Sequence, residues 1–486
     1  MSIPWSRISV KDSAAWTRKT LRAMARRKPG RLVEIVLNLQ SRLKALEARL
    51  AQNSANSHSP PSSDGYTKPA PKSLRKPSRR NSGGQNGHPG STLQPVANPD
   101  RVVVLRLGRC PCGCGADLRK QPLLRHETRQ VFDLPPQKLV VTEHRAEVKL
   151  CPSSGREVSA AFPAGVNAPA QYGPRFNAWM VYLRGQQLIP LERISQMCAD
   201  LFGRPVSEAT VCSAVTAAHH ALAGFETTVK DLIAQAPIAH ADETGLRVAG
   251  SLHWLQVVAT STLTWYGVHK RRAGEATEQF ALLARFTGRL VHDCLSAYFD
   301  LKCLHAFCNA HLLRELVFLC EVLHQRWARP MFDLLLRMHR AVEAHKARAG
   351  PGPLRQRHAW VRKFRALVRQ GFAENPIKTP RGPRRRGRPK HTKAQNLLLR
   401  LRQHESSVLA FLHDPRIPFS NNQAEQDLRM MKVQQKISGT FRTLEGARMF
   451  ARIRGYLSTA RKNHRDVFQE LVAALSGRPF MPTAAA

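Results

Sequence analysis

The segment IAHADETGLRVAGSLHWLQVVATSTLTWYGVH, residues 238–269, decides the fold because it contains three apolar runs separated by short turns. These runs are rich in Val, Leu, Trp and Tyr, a composition that predicts three strands joined as hairpins. Next, GEATEQFALLARF (274–286) carries apolar residues at helical spacing, and GRLVHDCLSAY (288–298) is typical of a fourth strand. Three meandering strands, a helix and a parallel strand predict an α/β sheet with the first and fourth strands side by side.

This element order is that of the ribonuclease-H-like fold, and it would gather carboxylates at one point. Asp242 and Asp293 belong to the first and fourth runs, while Glu425 lies near the start of the helical pattern SNNQAEQDLRMMKVQQKISG (420–439). Adjacent strands can place two carboxylates about 5 Å apart, and a helix crossing the sheet can add the third. Carboxylate oxygens suit Mg²⁺ or Mn²⁺, and two such ions about 4 Å apart support phosphoryl transfer. Taken singly, these residues could equally be a cap, a strand-end charge and a surface ion pair.

The charge balance points to a polyanionic partner. Lys and Arg total 76 against 34 acidic residues, giving a formal net charge of +42 over 486 residues. Such an excess predicts nucleic-acid binding that weakens steeply with salt. No apolar run approaches the roughly 20 residues needed to span a bilayer, the N-terminus lacks a signal-peptide core, and the ten cysteines do not form a secreted framework. We therefore expect a cytoplasmic, nucleoid-associated protein without a membrane partner.

Shifts in composition divide the chain. The predicted parts are a basic segment and coiled-coil helix (1–52), a disordered basic linker (53–100), a zinc-ribbon-like module (101–165), a helical DNA-binding domain (166–233), the first part of the ribonuclease-H-like core (234–300), a large helical insertion (301–418), the C-terminal core helices with Glu425 (419–475) and a tail (476–486).

Residues 32–52 carry a heptad seam. Alternating four- and three-residue steps connect Leu32, Val36, Leu39, Leu43, Leu46 and Leu50. The pattern favours a coiled coil that makes the protein at least a dimer. A lone amphipathic helix packed on its own domain would show the same spacing. Beyond it, the Ser-, Pro-, Gly- and Lys-rich residues 53–100 predict a flexible arm that settles on DNA phosphates or a plain tether.

Four cysteines accompany the strand-like runs VVVLRLG (102–108), QVFDLP (130–135) and LVVTEHRAEVKL (139–150). This β-rich pattern predicts a zinc ribbon in which knuckles at hairpin ends supply thiolates. The candidate zinc ligands are Cys110, Cys112, Cys114 and Cys151. Ser154 stands where a fourth regularly spaced thiol is expected, so either His144 completes the site or zinc has been lost.

A helix-turn-helix outline precedes the core. LERISQMCADLF (191–202) is followed by a turn at Gly203 and a second helix with Ser207 at its N-cap. The second helix could enter the major groove of DNA, although ordinary helical bundles contain similar pairs.

These motifs together resemble transposases of the insertion-sequence-66 family, within the DDE class. The resemblance covers the heptad helix, the linker from Asn53 to Asp64, the GGQxGHxG motif at 83–90, the cysteine module and the core, and it is most specific at residues 420–463. It implies that Asp242, Asp293 and Glu425 form the metal-binding triad. It also implies cleavage and transfer of DNA strands, with the element's terminal inverted repeats and target DNA as partners and small accessory proteins as further ones.

Several basic residues are candidate DNA contacts. Arg429 and Lys432 lie one and two turns after Glu425, and Lys436 follows. Cys308 and His311 have metal-ligand spacing, but the resemblance suggests that they shape the active-site floor or touch DNA, and a structural role is favoured. His311 and Arg314 are candidate DNA contacts. The segment PRGPRRRGRPK (380–390) resembles an arm that reaches DNA phosphates or the minor groove, and a solvated loop is the alternative. Its candidate contacts are Arg384, Arg385, Arg386 and Arg388.

Two other functions compete with transposition by the triad. One is a catalytically inactive DNA-binding regulator of the element. The other is a covalent recombinase that uses Tyr456, with Arg454 and His464 nearby, although the dispersed arginines of that class are not identifiable.

Overall fold

The computed structural model describes residues 18–53, 56–57, 92–272, 274–348, 356–377 and 391–483. Most of the predicted linker, the GGQxGHxG motif and the four arginines at 384–386 and 388 lie outside these residues. The chain forms two units. One comprises Met1–Pro71, Ala168–Ser195 and Val206–Ala486, and the other comprises Lys72–Asn167 and Gln196–Pro205.

Helices precede the sheet in the first unit. They are α1 (Arg18–Arg27), α2 (Pro29–Leu50), α3 (Pro174–Gly185), α4 (Leu191–Phe202, which runs into the second unit), α5 (Glu208–Ala221) and α6 (Ala223–Gln235). The predicted helix boundaries around Gly203 are confirmed: this glycine has φ of 70°, and the Ser207 hydroxyl accepts a hydrogen bond from the Thr210 N–H at 3.1 Å. Among the described residues, no helix is long and apolar enough to cross a membrane.

Two short strands form the hairpin of the second unit, and five strands form the sheet of the first. The hairpin strands are β1 (Val148–Leu150) and β2 (Glu157–Ser159). The sheet strands are β3 (Ile238–Val248), β4 (Ser251–Ala259), β5 (Thr264–His269), β6 (Arg289–His292) and β7 (Leu304–Phe307), in the spatial order β5-β4-β3-β6-β7.

The sheet has the predicted connectivity. Strands β3, β4 and β5 form an antiparallel meander, and β6 pairs with β3 in parallel. The first and fourth strands are therefore neighbours. Gly288 permits this approach, because a Cβ there would collide with the backbone carbonyls of Ala236 and Pro237. Strand β7 pairs in parallel with β6 and was not predicted; it lies in the segment assigned to the insertion.

Helices follow each part of the sheet. The predicted helix at 274–286 is interrupted at Ala281, where φ is 55°, and forms α7 (Gly274–Phe280) and α8 (Leu282–Arg285). A 3₁₀ turn covers Ser296–Asp300. The remaining helices are α9 (Asn309–Glu321), α10 (Ala328–Ala347), α11 (Arg357–Glu374), α12 (Lys393–Gln403), α13 (Glu405–Val408), α14 (Ala410–His413), α15 (Asn422–Ser438), α16 (Leu444–Lys462) and α17 (Val467–Leu475).

Two hydrophobic clusters hold the sheet in place. One combines residues of β3, β4 and β5 with Leu428 of α15 and Phe450 of α16. The other joins Val291 of β6 and Phe307 of β7 to the apolar faces of α9–α14. The helical segment after β7 therefore shares one core with the sheet, and β3, the central strand that carries Asp242, packs against both clusters.

The heptad residues lie on α2 and face solvent. Val36, Leu39, Leu43 and Leu46 are between 45% and 57% exposed, whereas Ile35, off the seam, is buried. Four seam residues are thus exposed, as are Val33 and Leu37 off the seam, while Ile35 and Ala48 pack on the helix's own unit. Association through the seam stays a prediction.

The β-rich reading of residues 101–162 is wrong for most of that segment. Only the β1–β2 hairpin is regular, and VVVLRLG and QVFDLP have no strand partners. Their apolar side chains are exposed: Leu105 is 91% and Val131 is 91% accessible. Strand-like composition alone did not produce strands because the described part of this unit provides no second layer to cover an apolar face.

Candidate carboxylate centre and metal sites

The pairing of β3 with β6 sets the positions of two carboxylates. His240 lies opposite Val291 in this parallel pair. Continuing the register by two residues brings Asp242 opposite Asp293, and neighbouring strands are about 4.8 Å apart. Both side chains are half-buried, so they remain accessible at the edge of the core.

Helix α15 brings Glu425 near enough for its charge to act on Asp242, but the ligand atoms of Glu425 and the two aspartates do not all lie within 4.8 Å of one another. Asn421 anchors the start of that helix. The buried Asn421 amide donates to the Ala241 carbonyl at 2.8 Å, and its Oδ1 lies 2.9 Å from His240 Nδ1. Its backbone N–H points to the Cys308 sulfur at 3.2 Å. One side chain thus ties the helix to the strand that carries Asp242. Asn421 was within the quoted motif, but no role was predicted for it.

The carboxylates interact electrostatically. Burial, followed by the negative charges of Asp293 and Glu425, raises the pKa of Asp242 to about 8, despite a hydrogen bond from the Glu243 N–H. Lys432 is half-buried on α15, and burial lowers its pKa. The nearby charge of Asp242 acts in the opposite direction. Burial and the neighbouring charges disfavour the ionised form of Asp242. Bound cations would offset this repulsion between the acidic groups. The donor set therefore fits hard divalent ions such as Mg²⁺.

A buried ion pair fixes the other side of α15. Lys462 Nζ lies 2.9 Å from Asp427 Oδ2 and donates to the carbonyls of Thr260 and Leu263 at 3.0 Å. The Tyr266 hydroxyl donates to the Asp427 carbonyl at 2.9 Å. These contacts connect α15 and α16 to the β4–β5 turn, two residues from Glu425. Only the spacing from Glu425 could have suggested Asp427 beforehand, and nothing in the sequence indicated Lys462.

A second group of ligand types lies beside the first. Ligand atoms of Cys308, His311 and Glu425 are all within 4.8 Å of one another. Cys308 Sγ is 3.9 Å from Glu425 Oε1, and burial followed by the charge of Glu425 raises the pKa of this thiol to about 12. The predicted DNA contact His311 is therefore next to the carboxylate centre.

The other predicted DNA contacts differ in exposure. Arg429 and Lys436 are exposed on α15, and Arg314 is half-buried on α9. They remain candidates for phosphate binding. The four arginines of 384–388 are outside the described residues.

Tyr456 does not have the surroundings of a nucleophile. It is fully buried, its hydroxyl donates to the Glu470 carbonyl at 3.0 Å, and it accepts from the Phe480 N–H at 3.1 Å. Burial also raises its pKa. Arg454 is buried and donates to Gln186 Oε1 at 2.6 Å. Tyr456 and Arg454 are therefore core residues, which removes the basis for a tyrosine recombinase.

The cysteine module gathers three of its four predicted ligands. The sulfurs of Cys110, Cys112 and Cys114 lie within 4.8 Å of one another, whereas Cys151 is outside that group. Hydrogen bonding from Cys110 lowers the pKa of Cys112 to about 7, which favours the thiolate that zinc binds. The Ser154 hydroxyl, in the place of the missing thiol, lowers the pKa of Cys151.

A cysteine cluster and a net charge of +42 are typical of a nucleic-acid-binding protein. Comparison with known families makes this specific. The model described as "Transposase IS66 family" matches residues 169–449, more than half of the chain. The chain therefore belongs to the IS66, or insertion-sequence-66, family of transposases, as the resemblance implied.

Two further family models match the N-terminal part. The zinc-finger binding domain of transposase IS66 covers residues 108–153, which supports structural zinc at the cysteine module. A family of unknown function (DUF6444) covers residues 17–94, including α1 and α2. A comparison with curated proteins gave no match.

Proposed function

We propose that this transposase cleaves and transfers DNA strands by metal-dependent phosphoryl transfer, with Asp242, Asp293 and Glu425 as metal ligands in a ribonuclease-H-like core. The proposal is supported by the β3–β6 register, which when continued by two residues pairs the two aspartates, together with the electrostatic effect of Asp293 and Glu425 on Asp242. Two bound Mg²⁺ or Mn²⁺ ions would supply activation of the attacking oxygen and stabilisation of the leaving oxygen.

The chain's own residues would prepare the site for this chemistry. The sheet fixes Asp242 and Asp293, and Asn421 with the Asp427–Lys462 pair fixes the helix that carries Glu425. Lys432 lies on the side of α15 that faces Asp242, where it can hold a DNA phosphate beside the carboxylates. Water nicks the element end to free a 3′ hydroxyl, which then attacks a target phosphate in line, without a covalent protein intermediate.

Recognition would be divided among the other parts of the chain. Exposed Arg429 and Lys436, with Arg314, His311 and the arginines of 384–388, would contact phosphates and position the DNA. The α4–α5 pair and the zinc module would select the terminal repeats. The open seam of α2 would join two copies, one for each element end.

Strand cleavage of a labelled duplex carrying the element's own end tests the proposal. The wild type should nick it with Mg²⁺ or Mn²⁺, and Glu425→Gln should not. Glu278→Gln is the matched control, because Glu278 is exposed on α7. Tight binding without nicking by the wild type, with accessory proteins supplied, would instead indicate the inactive regulator.

A further inference from the structure

The start of α9 and the start of α15 meet at a group of side chains that differs chemically from the three carboxylates. Cys308 precedes α9, His311 lies on its first turn, and Glu425 lies on the first turn of α15. A thiol, an imidazole and one carboxylate are ligands for a borderline-soft ion, whereas Mg²⁺ prefers oxygen alone.

The separations suit such an ion. In a tetrahedral site with metal–sulfur and metal–oxygen bonds of about 2.3 and 2.0 Å, the two ligand atoms are about 3.5 Å apart. Cys308 Sγ and Glu425 Oε1 are 3.9 Å apart, and all three ligand atoms are within 4.8 Å of one another. The Cys308–Glu425 separation is therefore within about 0.4 Å of the value for such a site, and water would take the fourth position.

Independently, a backbone donor is aimed at the sulfur. The Asn421 N–H lies 3.2 Å from Cys308 Sγ. The Asn421 donor cannot turn away easily, because its side chain is bonded to Ala241 and His240. Donors fixed around a sulfur stabilise a metal-bound thiolate and orient it.

We propose that Cys308, His311 and Glu425 bind one Zn²⁺-class ion, separate from the zinc of the cysteine module. The thiol proton is released to solvent on binding. The ion joins α9 to α15. It uses Glu425, which the proposed function assigns to Mg²⁺, and His311, which the proposed function assigns to a DNA phosphate. Its effect on cleavage rests on that function: zinc bound here would compete for Glu425.

Cobalt(II) titration of the full-length protein, without DNA or Mg²⁺, tests the site. Thiolate-bound cobalt is counted by its near-ultraviolet charge-transfer band. The wild type should bind one more such ion than Cys308→Ser. Cys320→Ser, a change at the other end of α9, should match the wild type. Equal stoichiometry in the wild type and Cys308→Ser would overturn the proposal.

Circular dichroism would reveal misfolding of Cys308→Ser. A second variant keeps the proposal testable in that case. His311→Gln leaves the sulfur in place and should weaken cobalt binding at this site at least about tenfold. Unchanged affinity would contradict the proposal. Asp242→Asn should keep the cobalt site while losing cleavage, so failure of the soft-metal site and failure of the transposase mechanism are distinguishable.

Discussion

The sheet and the cysteine module contain similar apolar runs but bury them to different extents. Val257 of β4 and Leu290 of β6 are fully buried, whereas Leu105 and Leu124 of the module are more than 90% exposed. Both regions have apolar runs of strand-like composition, but among the described residues only the sheet has helices over its apolar faces. The comparison teaches that such a run predicts a strand only where a second layer can cover it.

The largest expected effect is in the sheet region. Asp293→Asn should lower strand cleavage at least about a thousandfold, since it removes a proposed ligand to the ions that activate the reaction. DNA binding, measured by a mobility-shift assay, should persist. Asp300→Asn, at an exposed position seven residues later, should cleave normally. Full activity of Asp293→Asn would refute the assignment.

The buried ion pair should dominate stability. Lys462→Met leaves the Asp427 charge without its partner, and such a loss costs about 3–5 kcal/mol. The calorimetric unfolding midpoint should fall accordingly, and cleavage should decline because α15 loses its anchor. Arg461→Met, at an exposed neighbouring position, serves as the control. Equal midpoints for the two variants would show that the pair does not anchor the helix.

The contacts of Asn421 should contribute somewhat less to the free energy of unfolding than the Lys462–Asp427 ion pair. Asn421→Ala removes the bonds to Ala241 and His240 and leaves buried polar groups unpaired, at a cost of about 2–4 kcal/mol for the two groups. Asn422→Ala changes the same residue type at an exposed position one residue later. The same unfolding measurement compares them. A larger fall of the unfolding midpoint in Asn422→Ala than in Asn421→Ala would show that the Asn421 contacts do not stabilise the fold.

Removal of zinc should destabilise the cysteine module but should not change the stability of the sheet unit. Chelation of zinc, or Cys112→Ser, should speed proteolysis within residues 92–167 about tenfold or more, because ligation replaces a core there. The unfolding midpoint of the sheet unit should stay unchanged. Cys212→Ser, an exposed cysteine outside the module, is the control. Unaltered proteolysis after chelation would mean that the module has another source of cohesion.

A substitution on the exposed seam of α2 should have the smallest effect on the free energy of unfolding. Leu43→Glu on the open seam should shift the protein from dimer to monomer in light scattering while changing the free energy of unfolding of the sheet unit by less than about 0.5 kcal/mol. Leu37→Glu is the matched control, since Leu37 is 59% exposed but lies off the seam. If both variants stay dimeric, the seam does not mediate association.

Sequence reasoning succeeded where local pattern and global packing agree. Strand β3, the helix pair around Gly203 and the adjacency of the first and fourth strands were predictable from composition and order. Strand β7 was missed because its four residues carry little periodic signal. The ties made by Asn421 and Lys462 could not be predicted, because they join residues about 180 and 200 positions apart. The triad's chemical role remains a prediction.

The long segment between β6 and α15 has a consequence for synthesis. Glu425 follows Asp293 by about 130 residues, and a ribosome adding roughly 5–20 residues per second needs on the order of ten seconds to cover them. The Asn309 N–H bonds to the Phe419 carbonyl at 3.0 Å, so the two ends of this segment meet only after it has folded. A nascent chain therefore holds two of the proposed metal ligands well before the third, and the proposed capacity to cut DNA would arise only after this long segment has been made.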